Sequence, residues 1–342
     1  MTELLADHTT LRLGGPAAAW VRATTEEELT EAVAEADAAG GPVLVLGGGS
    51  NVVVADAGFD GTVVEVATSG ISADVEGDDP TCGGVLVKVA AGEEWDAFVA
   101  YAVARGWVGL EALSGIPGLV GATPIQNVGA YGQEVAQTVA SVRVWDRVLK
   151  GVRTFANADC DFGYRTSRFK ADPGRHVVLD VTFQLRQGSL GTSVQYAELA
   201  TALGVELGQR APLTDVREAV LELRRGKGMV LDPADHDTWS AGSFFTNPVI
   251  DAPGVPPEAP AWPQPDGRVK TSAAWLIEHS GFGKGYGAGP VTLSTKHTLA
   301  LTNRGGATTE ALLALAREIR DGVETAHGIR LVPEPVLVGC EL

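Results

Sequence analysis

From Ala112 to Gln133 the chain carries no charged residue, and this stretch limits the fold more than any other. Its length raises the question of a membrane span, which needs about 20 apolar residues. Pro117, Pro124 and a series of glycines would break a spanning helix, and Gln126 and Asn127 would sit unpaired in hydrocarbon. The segment is therefore expected to be a buried, ligand-lining loop. A glycine-rich loop is costly in chain entropy. A rigid, apolar one suits close backbone contact with a flat cofactor, and a purely structural buried turn is the alternative.

A chain of 342 residues is long enough for two or three domains at about 100 to 200 residues each. With 45% hydrophobic and 20% charged residues it has the composition of a soluble globular protein. Helical spacing is expected from Thr24 to Gly40, with Thr25 and Glu28 as a capping box, and from Glu94 to Arg105, where Trp95 and Phe98 are read as core. Residues 211 to 227 and Thr309 to His327 have the same period, the latter with Gly328 as its cap. Val43 to Leu46 and Val52 to Val54 read as short strands that complete a βαβ-like unit and add one strand to it. SVRVW near 141 and HVVLDVTFQL near 176 read as strands of a second sheet-bearing domain. DAPGVPPEAPAWPQP, with six prolines, is expected to be a surface loop within a third domain.

The net charge of −17 argues against nucleic acid or an anionic membrane as partner, because both need a broad positive field. A small anionic ligand would have to be met by a local basic cluster. RRGKG, with Arg224, Arg225 and Lys227, is one such cluster; a charged helix end is the bland reading of the same residues. Cys82, Cys160 and Cys340 show neither metal-ligand spacing nor a disulfide framework, which fits a reducing cytosol. No export signal is expected from the acidic start MTELLADHTTLRLGG.

VLGGGSNVVVAD places three glycines and a Ser-Asn pair between strands, where several backbone N–H groups can face a phosphate. It is not a P-loop, since no Gly-Lys-Ser/Thr follows, nor a Rossmann loop, since a strand follows Gly49. A plain glycine-rich hairpin is the competing interpretation.

TLRLGG at 10 to 15, LGGGSN at 46 to 51, IPGLVGATPIQNVGAYG, FGYRTSRFK at 162 to 170, AGSFFTNP at 241 to 248 and PEPVLVG at 333 to 339 occur in that order over nearly the whole chain. Together they resemble the UDP-N-acetylenolpyruvoylglucosamine reductases, within the vanillyl-alcohol-oxidase-like (PCMH-type) FAD-binding superfamily. The resemblance implies an α+β fold: a two-part FAD-binding region, 1–70 and 71–210, with a substrate loop near 190–205, and a C-terminal α+β substrate-binding domain, 211–342, that closes over the sugar nucleotide. It also implies a cytoplasmic, monomeric enzyme of peptidoglycan synthesis. Such an enzyme reduces UDP-N-acetylglucosamine enolpyruvate to UDP-N-acetylmuramate with NADPH as co-substrate and noncovalent FAD.

By the same resemblance, Leu46, Gly47, Gly48, Gly49, Ser50 and Asn51 face the FAD pyrophosphate. Pro117, Gly118, Gly121, Ala122, Thr123, Gln126, Asn127, Gly129, Ala130 and Tyr131 line the cofactor. The implied catalytic residues are Arg165, Ser243 and Glu334. Hydride delivery to the enolpyruvyl carbon leaves negative charge beside the substrate carboxylate, which a fixed Arg and a hydrogen-bonding carboxyl group stabilise, and Ser243 supplies the proton. The expected substrate contacts are Tyr164, Tyr196, Arg224, Lys227, Asn247 and Lys270: the family's pattern carries Lys227 and Asn247, Arg224 comes from the basic cluster, and Lys270, Lys284 and Lys296 are weaker candidates for the nucleotide or NADPH phosphates. Tyr196, in VQYAELA, resembles the loop tyrosine of the longer (type I) form. Trp262 stands where that form often has Tyr, and Val336 where an Arg often follows the PEP motif. A flavin oxidase of the same superfamily and a nonenzymatic UDP-sugar binder are the rival functions.

Overall fold

The structure, a computed structural model, describes residues 3–75 and 84–342, so Cys82 lies outside the described residues. The fold is α+β and divides into two compact units. A sheet-rich unit comprises Ala18–Gly48 and Asp60–Arg225; a C-terminal unit comprises Met1–Ala17, Gly49–Phe59 and Gly226–Leu342.

In chain order, β1 is Ala17–Ala23, α1 Glu26–Ala39, β2 Val43–Leu46, β3 Val52–Val54 and β4 Phe59–Val66. Thr25 Oγ1 accepts from the Glu28 N–H at 3.1 Å, as a capping box requires. The return arm is displaced by one residue: the Glu28 carboxylate accepts from the backbone N–H and hydroxyl of Thr24. Leu29, Val33 and Ala36 form the buried face of α1, and Gly40 ends it in the left-handed conformation. The expected βαβ order is modified, because β4 enters between β1 and β2 and runs parallel to β2. Strand β3 belongs to the other unit.

Next come β5 (Ile71–Val75), β6 (Gly84–Ala90), α2 (Trp95–Ala104), β7 (Trp107–Val108), β8 (Gly129–Ala130), β9 (Gln133–Glu134), β10 (Val139–Asp146), β11 (Gly151–Ala156), α3 (Arg168–Ala171) and β12 (His176–Gln187). The main sheet has the order β11-β10-β12-β6-β5, with antiparallel neighbours and β7 on the end of β12. Trp95, Phe98 and Phe183 form an aromatic cluster in its core, with ring centroids 5.2 to 6.0 Å apart. The only helical elements described in the uncharged stretch after α2 are single 3-10 turns, at Glu111–Leu113 and Val120–Ala122, followed by the short β8–β9 hairpin, and no helix among the described residues is long and apolar enough to cross a membrane. Helices α4 (Ala197–Leu203) and α5 (Leu213–Gly226) close the unit over a small cluster that includes Ala112, Val194, Leu199 and Val220.

The C-terminal unit contains β13 (Val249–Ile250), β14 (Ala261–Pro263), β15 (Val269–Thr271), α6 (Ala273–His279), β16 (Val291–Leu293), β17 (Leu301–Asn303), α7 (Thr309–His327) and β18 (Val336–Val338). Part of the proline-rich stretch is not loop: β14 pairs with β15 at the edge of a small sheet, where a proline costs no ladder bond. Helix α7 buries Leu312, Leu313, Ala316, Ile319 and Val323 and ends at a left-handed Gly328. Its first N–H groups, on Thr309 and Glu310, donate to the Asp56 carboxylate at 2.7 and 3.0 Å. Asp56 follows β3, which pairs in parallel with β18, so VVVAD both joins a sheet and anchors the last helix.

Asp146, at the end of β10, is fully buried. Arg175 beside it holds its carboxyl down at about 2; burial opposes this, and the N–H groups of Leu149 and Val148 assist it. This folded value lies below the ordinary Asp value of about 3.9, so the stabilisation is complete above about pH 4 and is lost as pH falls through about 2. Urea melts should show that Asp146→Asn is less stable than wild type at neutral pH and that the difference shrinks from pH 4 towards pH 2. A pH-independent difference would remove Asp146 from the acid limb.

Candidate active site

Two glycine loops of the sheet-rich unit lie back to back. Gly47 and Gly48 leave β2, and a Cβ built on Gly48 would lie 2.9 Å from the Gly118 Cα. The second loop is pinned to the start of α2: the Trp95 N–H donates to the Gly118 carbonyl at 3.0 Å, Val120 to Glu93 at 2.9 Å and Gly121 to Ala91 at 2.9 Å. The Gly115 N–H donates to Asp96 Oδ1 at 2.6 Å. Asp96 is itself held by both guanidinium nitrogens of Arg217, at 2.6 and 2.9 Å. Burial pushes the Asp96 carboxyl up, but Arg217 and the Gly115 N–H outweigh it and hold the group below the usual carboxylate range. The result is a bare peptide surface on which a side chain at Gly48 would crowd Gly118, which fits the close approach of a flat dinucleotide cofactor.

The loop then interlocks with FGYRTSRFK. Gly163 and Thr166 exchange backbone hydrogen bonds at 3.0 and 3.3 Å, which makes Tyr164 and Arg165 the corner of a tight turn. Arg165 has φ 51°, a region that costs a non-glycine residue on the order of 1 kcal/mol or more. Asn127 and Tyr131 share that geometry, with φ 47° and 49°. The Arg165 guanidinium donates to the carbonyls of Gly129 at 2.7 Å and Asn127 at 3.4 Å. Fully buried Asn127 donates to Glu134 Oε2 at 2.9 Å and to the Gly163 carbonyl at 3.0 Å, and accepts from the Ala136 N–H. Ser167 donates to the Ile125 carbonyl at 2.5 Å, and Lys170 joins Gln126 Oε1 to the Arg165 carbonyl. Ala122 and Thr123 complete the turn that carries Gly121, with the Thr123 hydroxyl on the Val120 carbonyl.

In the C-terminal unit three sequence-distant motifs meet. Gly49 has φ 58°, and a Cβ there would strike the His8 carbonyl at 1.9 Å, so this position admits only glycine. Ser50 and Asn51 follow it. Asn51 accepts from the Val336 N–H at 3.0 Å and donates to the Glu334 carbonyl at 3.4 Å. On the other side the Glu334 N–H donates to the Phe244 carbonyl at 2.8 Å, and Phe245 bridges to Pro333. The Phe244 carbonyl on one side and the Asn51 side-chain amide on the other thus clamp the Glu334 backbone beside the residue that follows Ser243. Ser243 is half-buried after left-handed Gly242, between the core side chains Ala241, Phe244 and Phe245.

Among the substrate candidates, Tyr131 and Tyr196 meet edge to face at 5.4 Å. Arg224 retains some surface exposure, yet burial of its guanidinium pushes the group down to about 10, against the pull of Tyr131 and Asp96. Lys227 lies just beyond the end of α5, in the C-terminal unit. Asn247 has its Oδ1 engaged with the Ala273 N–H at the start of α6. Lys270 pairs across the ladder with half-exposed Trp262, its Nζ 5.9 Å from the ring. Lys296 is held by Asp235 at 2.6 Å. Sequence reading passed over Ser167, Lys170 and Glu134, although each lies in or beside a quoted motif. Asp96, Arg217 and Glu111 gave no signal in the sequence.

This geometry defines a class: residues 17–150 match the family model described as FAD binding domain, and the glycine cradle lies within them. Residues 232–338 match the model described as UDP-N-acetylenolpyruvoylglucosamine reductase, C-terminal domain. A Cutibacterium acnes protein named UDP-N-acetylenolpyruvoylglucosamine reductase is 61% identical over 341 residues, covering 99% of this chain and 90% of its own. One of the same name from Thermobifida fusca is 58% identical over 353 aligned positions, covering 99% of this chain and 97% of its own. The crystal structure of UDP-N-acetylenolpyruvylglucosamine reductase (MurB) from Thermus caldophilus is 26% identical with a TM-score of 0.67, covering 99% of this chain and 98% of that one. The chain belongs to the UDP-N-acetylenolpyruvoylglucosamine reductase family.

Gly48 does not have a left-handed backbone, so Gly48→Ala tests crowding alone. The variant should fold, by circular dichroism, and bind FAD at least about tenfold more weakly in titration, so that it loses flavin on dilution where the wild type keeps it, as expected when a close contact costs about 1.4 kcal/mol or more. Full flavin content would mean that the two loops separate easily and do not form a rigid cradle.

Proposed function

We propose that this chain reduces the enolpyruvyl ether of UDP-N-acetylglucosamine enolpyruvate to UDP-N-acetylmuramate, with NADPH as electron donor and noncovalently held FAD, in the bacterial cytosol. Reductase activity in peptidoglycan precursor synthesis follows from membership of the family. NADPH, the noncovalent link and the individual residues are the finer reading. In that reading 1–70 and 71–210 hold FAD, and 211–342 takes the nucleotide sugar.

The observation that carries the proposal is the clamp on Glu334. Its peptide N–H is fixed by Phe244 and its carbonyl by Asn51, while Pro333 and Pro335 restrict the flanking backbone. A carboxyl group on so constrained a segment suits stabilisation of charge at one place in the substrate. The glycine loops around Gly47–Gly48 and Pro117–Tyr131 would hold FAD, which would supply hydride transfer from NADPH to the enolpyruvyl carbon. Arg165 stabilises the negative charge that builds beside the substrate carboxylate, and its guanidinium is pre-aimed by the Gly129 and Asn127 carbonyls. Ser243 Oγ donates the proton that completes reduction; its hydroxyl is in no hydrogen bond among the described residues. Tyr164, Tyr196, Arg224, Lys227, Asn247 and Lys270 bind the nucleotide sugar, with Arg224 and Lys227 supplying positive charge for its diphosphate.

Acid denaturation should release FAD and leave a colourless precipitate; yellow colour kept by the precipitate would overturn the noncovalent assignment. The two half-reactions test Ser243. In Ser243→Ala, NADPH should bleach the flavin near the wild-type rate, while reoxidation by the enolpyruvyl substrate slows at least about 100-fold, the lower end of general acid catalysis. Normal reoxidation would move the proton donor to another group. Failure of both half-reactions would assign Ser243 to the shape of the pocket.

A further inference from the structure

Glu111 is fully buried in the sheet-rich unit, and no step above uses it. Its two oxygens accept four hydrogen bonds from three segments. Oε2 takes the Gly109 N–H at 2.7 Å. Oε1 takes Gln133 Nε2 at 2.9 Å, the Thr192 N–H at 2.6 Å and the Thr192 hydroxyl at 3.0 Å. Gln133 closes the circuit: its Oε1 accepts from the Ala112 N–H at 2.8 Å, and its Nε2 also reaches the Thr192 hydroxyl at 2.5 Å.

This circuit joins the end of the cofactor loop to the base of the 190–205 loop. Gln133 lies two residues after Tyr131, and Thr192 four before Tyr196. The two tyrosines meet edge to face, and a cavity of about 350 Å³ beside them is lined by Tyr131, Gln133, Thr192 and Gln195. Elsewhere the 190–205 loop is held by backbone bonds from Gly191 to Ala211 and from Val194 to Gln209. A Cβ on Gly191 would lie 2.9 Å from Glu111 Oε1, so the loop backbone passes directly over the carboxyl group.

We infer that Glu111 is a positioning residue for the nucleotide sugar: by binding Thr192 and Gln133 together it sets Tyr196 against Tyr131. The inference rests on the reading of Tyr196 as a substrate contact. A carboxylate suits the place because both of its oxygens face fixed backbone donors, Thr192 N–H on one side and Gly109 N–H on the other. The amide of Gln in its place would direct NH₂ at one of those donors, and neither flip avoids the clash. Asp is too short to reach both.

The test uses flavin-loaded protein, NADPH and UDP-N-acetylglucosamine enolpyruvate. Glu111→Gln should raise KM for the enolpyruvyl nucleotide about tenfold, the effect of one lost charged hydrogen bond, with kcat within about threefold and the flavin spectrum unchanged. Thr192→Val removes only the hydroxyl contacts and should raise KM by a smaller factor. As a measure free of activity, chymotrypsin should cleave after Tyr196 faster in Glu111→Gln than in wild type. Wild-type KM together with wild-type cleavage would overturn the inference. So would parallel loss of flavin, KM and kcat, which would make Glu111 a general core residue. If Glu111→Gln does not fold, Thr192→Val decides: raised KM at constant kcat supports the role, and unchanged KM ends it. Wild-type protein that cannot reduce the substrate would instead overturn the proposed reaction, and cleavage after Tyr196 would still test the clamp.

Discussion

Trp95 connects the core of the sheet-rich unit to its uncharged glycine- and proline-rich loop. Its ring is fully buried against Phe98 and Phe183, a burial whose loss typically costs about 3 to 5 kcal/mol. Its indole N–H donates to the Leu113 carbonyl at 3.0 Å, and its backbone N–H donates to the Gly118 carbonyl. One residue at the start of α2 therefore holds both ends of the Leu113–Gly118 bend. The hydrophobic core is what holds this glycine- and proline-rich loop, because Leu113 and Val120 are buried in it and Ile116, Ile125 and Val128 pack against it. A loop so held can present peptide groups to a cofactor without paying their ordering entropy at binding.

Strain is concentrated beyond that anchor. Asn127, Tyr131 and Arg165 all adopt left-handed backbone, which ordinary packing does not favour. Each is held by contacts outside its own turn: Asn127 by Glu134 and Gly163, Arg165 by Gly129 and Asn127, and Tyr131 by the ring of Tyr196. Dense hydrogen bonding around these residues gives the loop a single conformation. Electrostatics follows the same pattern on a chain of net charge −17, where the acids that matter locally act as acceptors inside the fold. Asp96 orders Gly115 and Arg217, Asp56 caps α7, and Glu111 gathers three segments.

Much of the local structure was legible in the sequence. Val43–Leu46, Val52–Val54 and Thr309–His327 have the bounds their patterns imply, because short apolar runs between turn residues and a capped 3.6-residue period are signals carried by neighbours in the chain. The uncharged stretch was readable as a buried loop for the same reason: its two prolines and clustered glycines together disfavour a helix over that span. The family was readable because six motifs in a fixed order are far more specific than any one of them. The capping box showed the limit of such reading, since the return arm of Glu28 goes to Thr24. A side chain selects among neighbouring donors by geometry that a four-residue pattern does not hold.

The sequence by itself determined the helices α1, α2, α5 and α7, the strands β2, β3, β10 and β12, the reductase family and the residues of the quoted motifs, all properties of residues near one another in the chain or of motif order. Only the tertiary structure decided that β3 leaves its neighbours to pair with β18, that LGGGSN divides between the two units, and that Asn51, Phe244 and Glu334 share one clamp. It alone raised Glu111 from an ordinary acid to the centre of a buried circuit. The reason is physical: partners such as Asn51 and Glu334, or Glu111 and Thr192, lie far apart in sequence. A carboxylate's role depends on which donors surround it once water has been excluded.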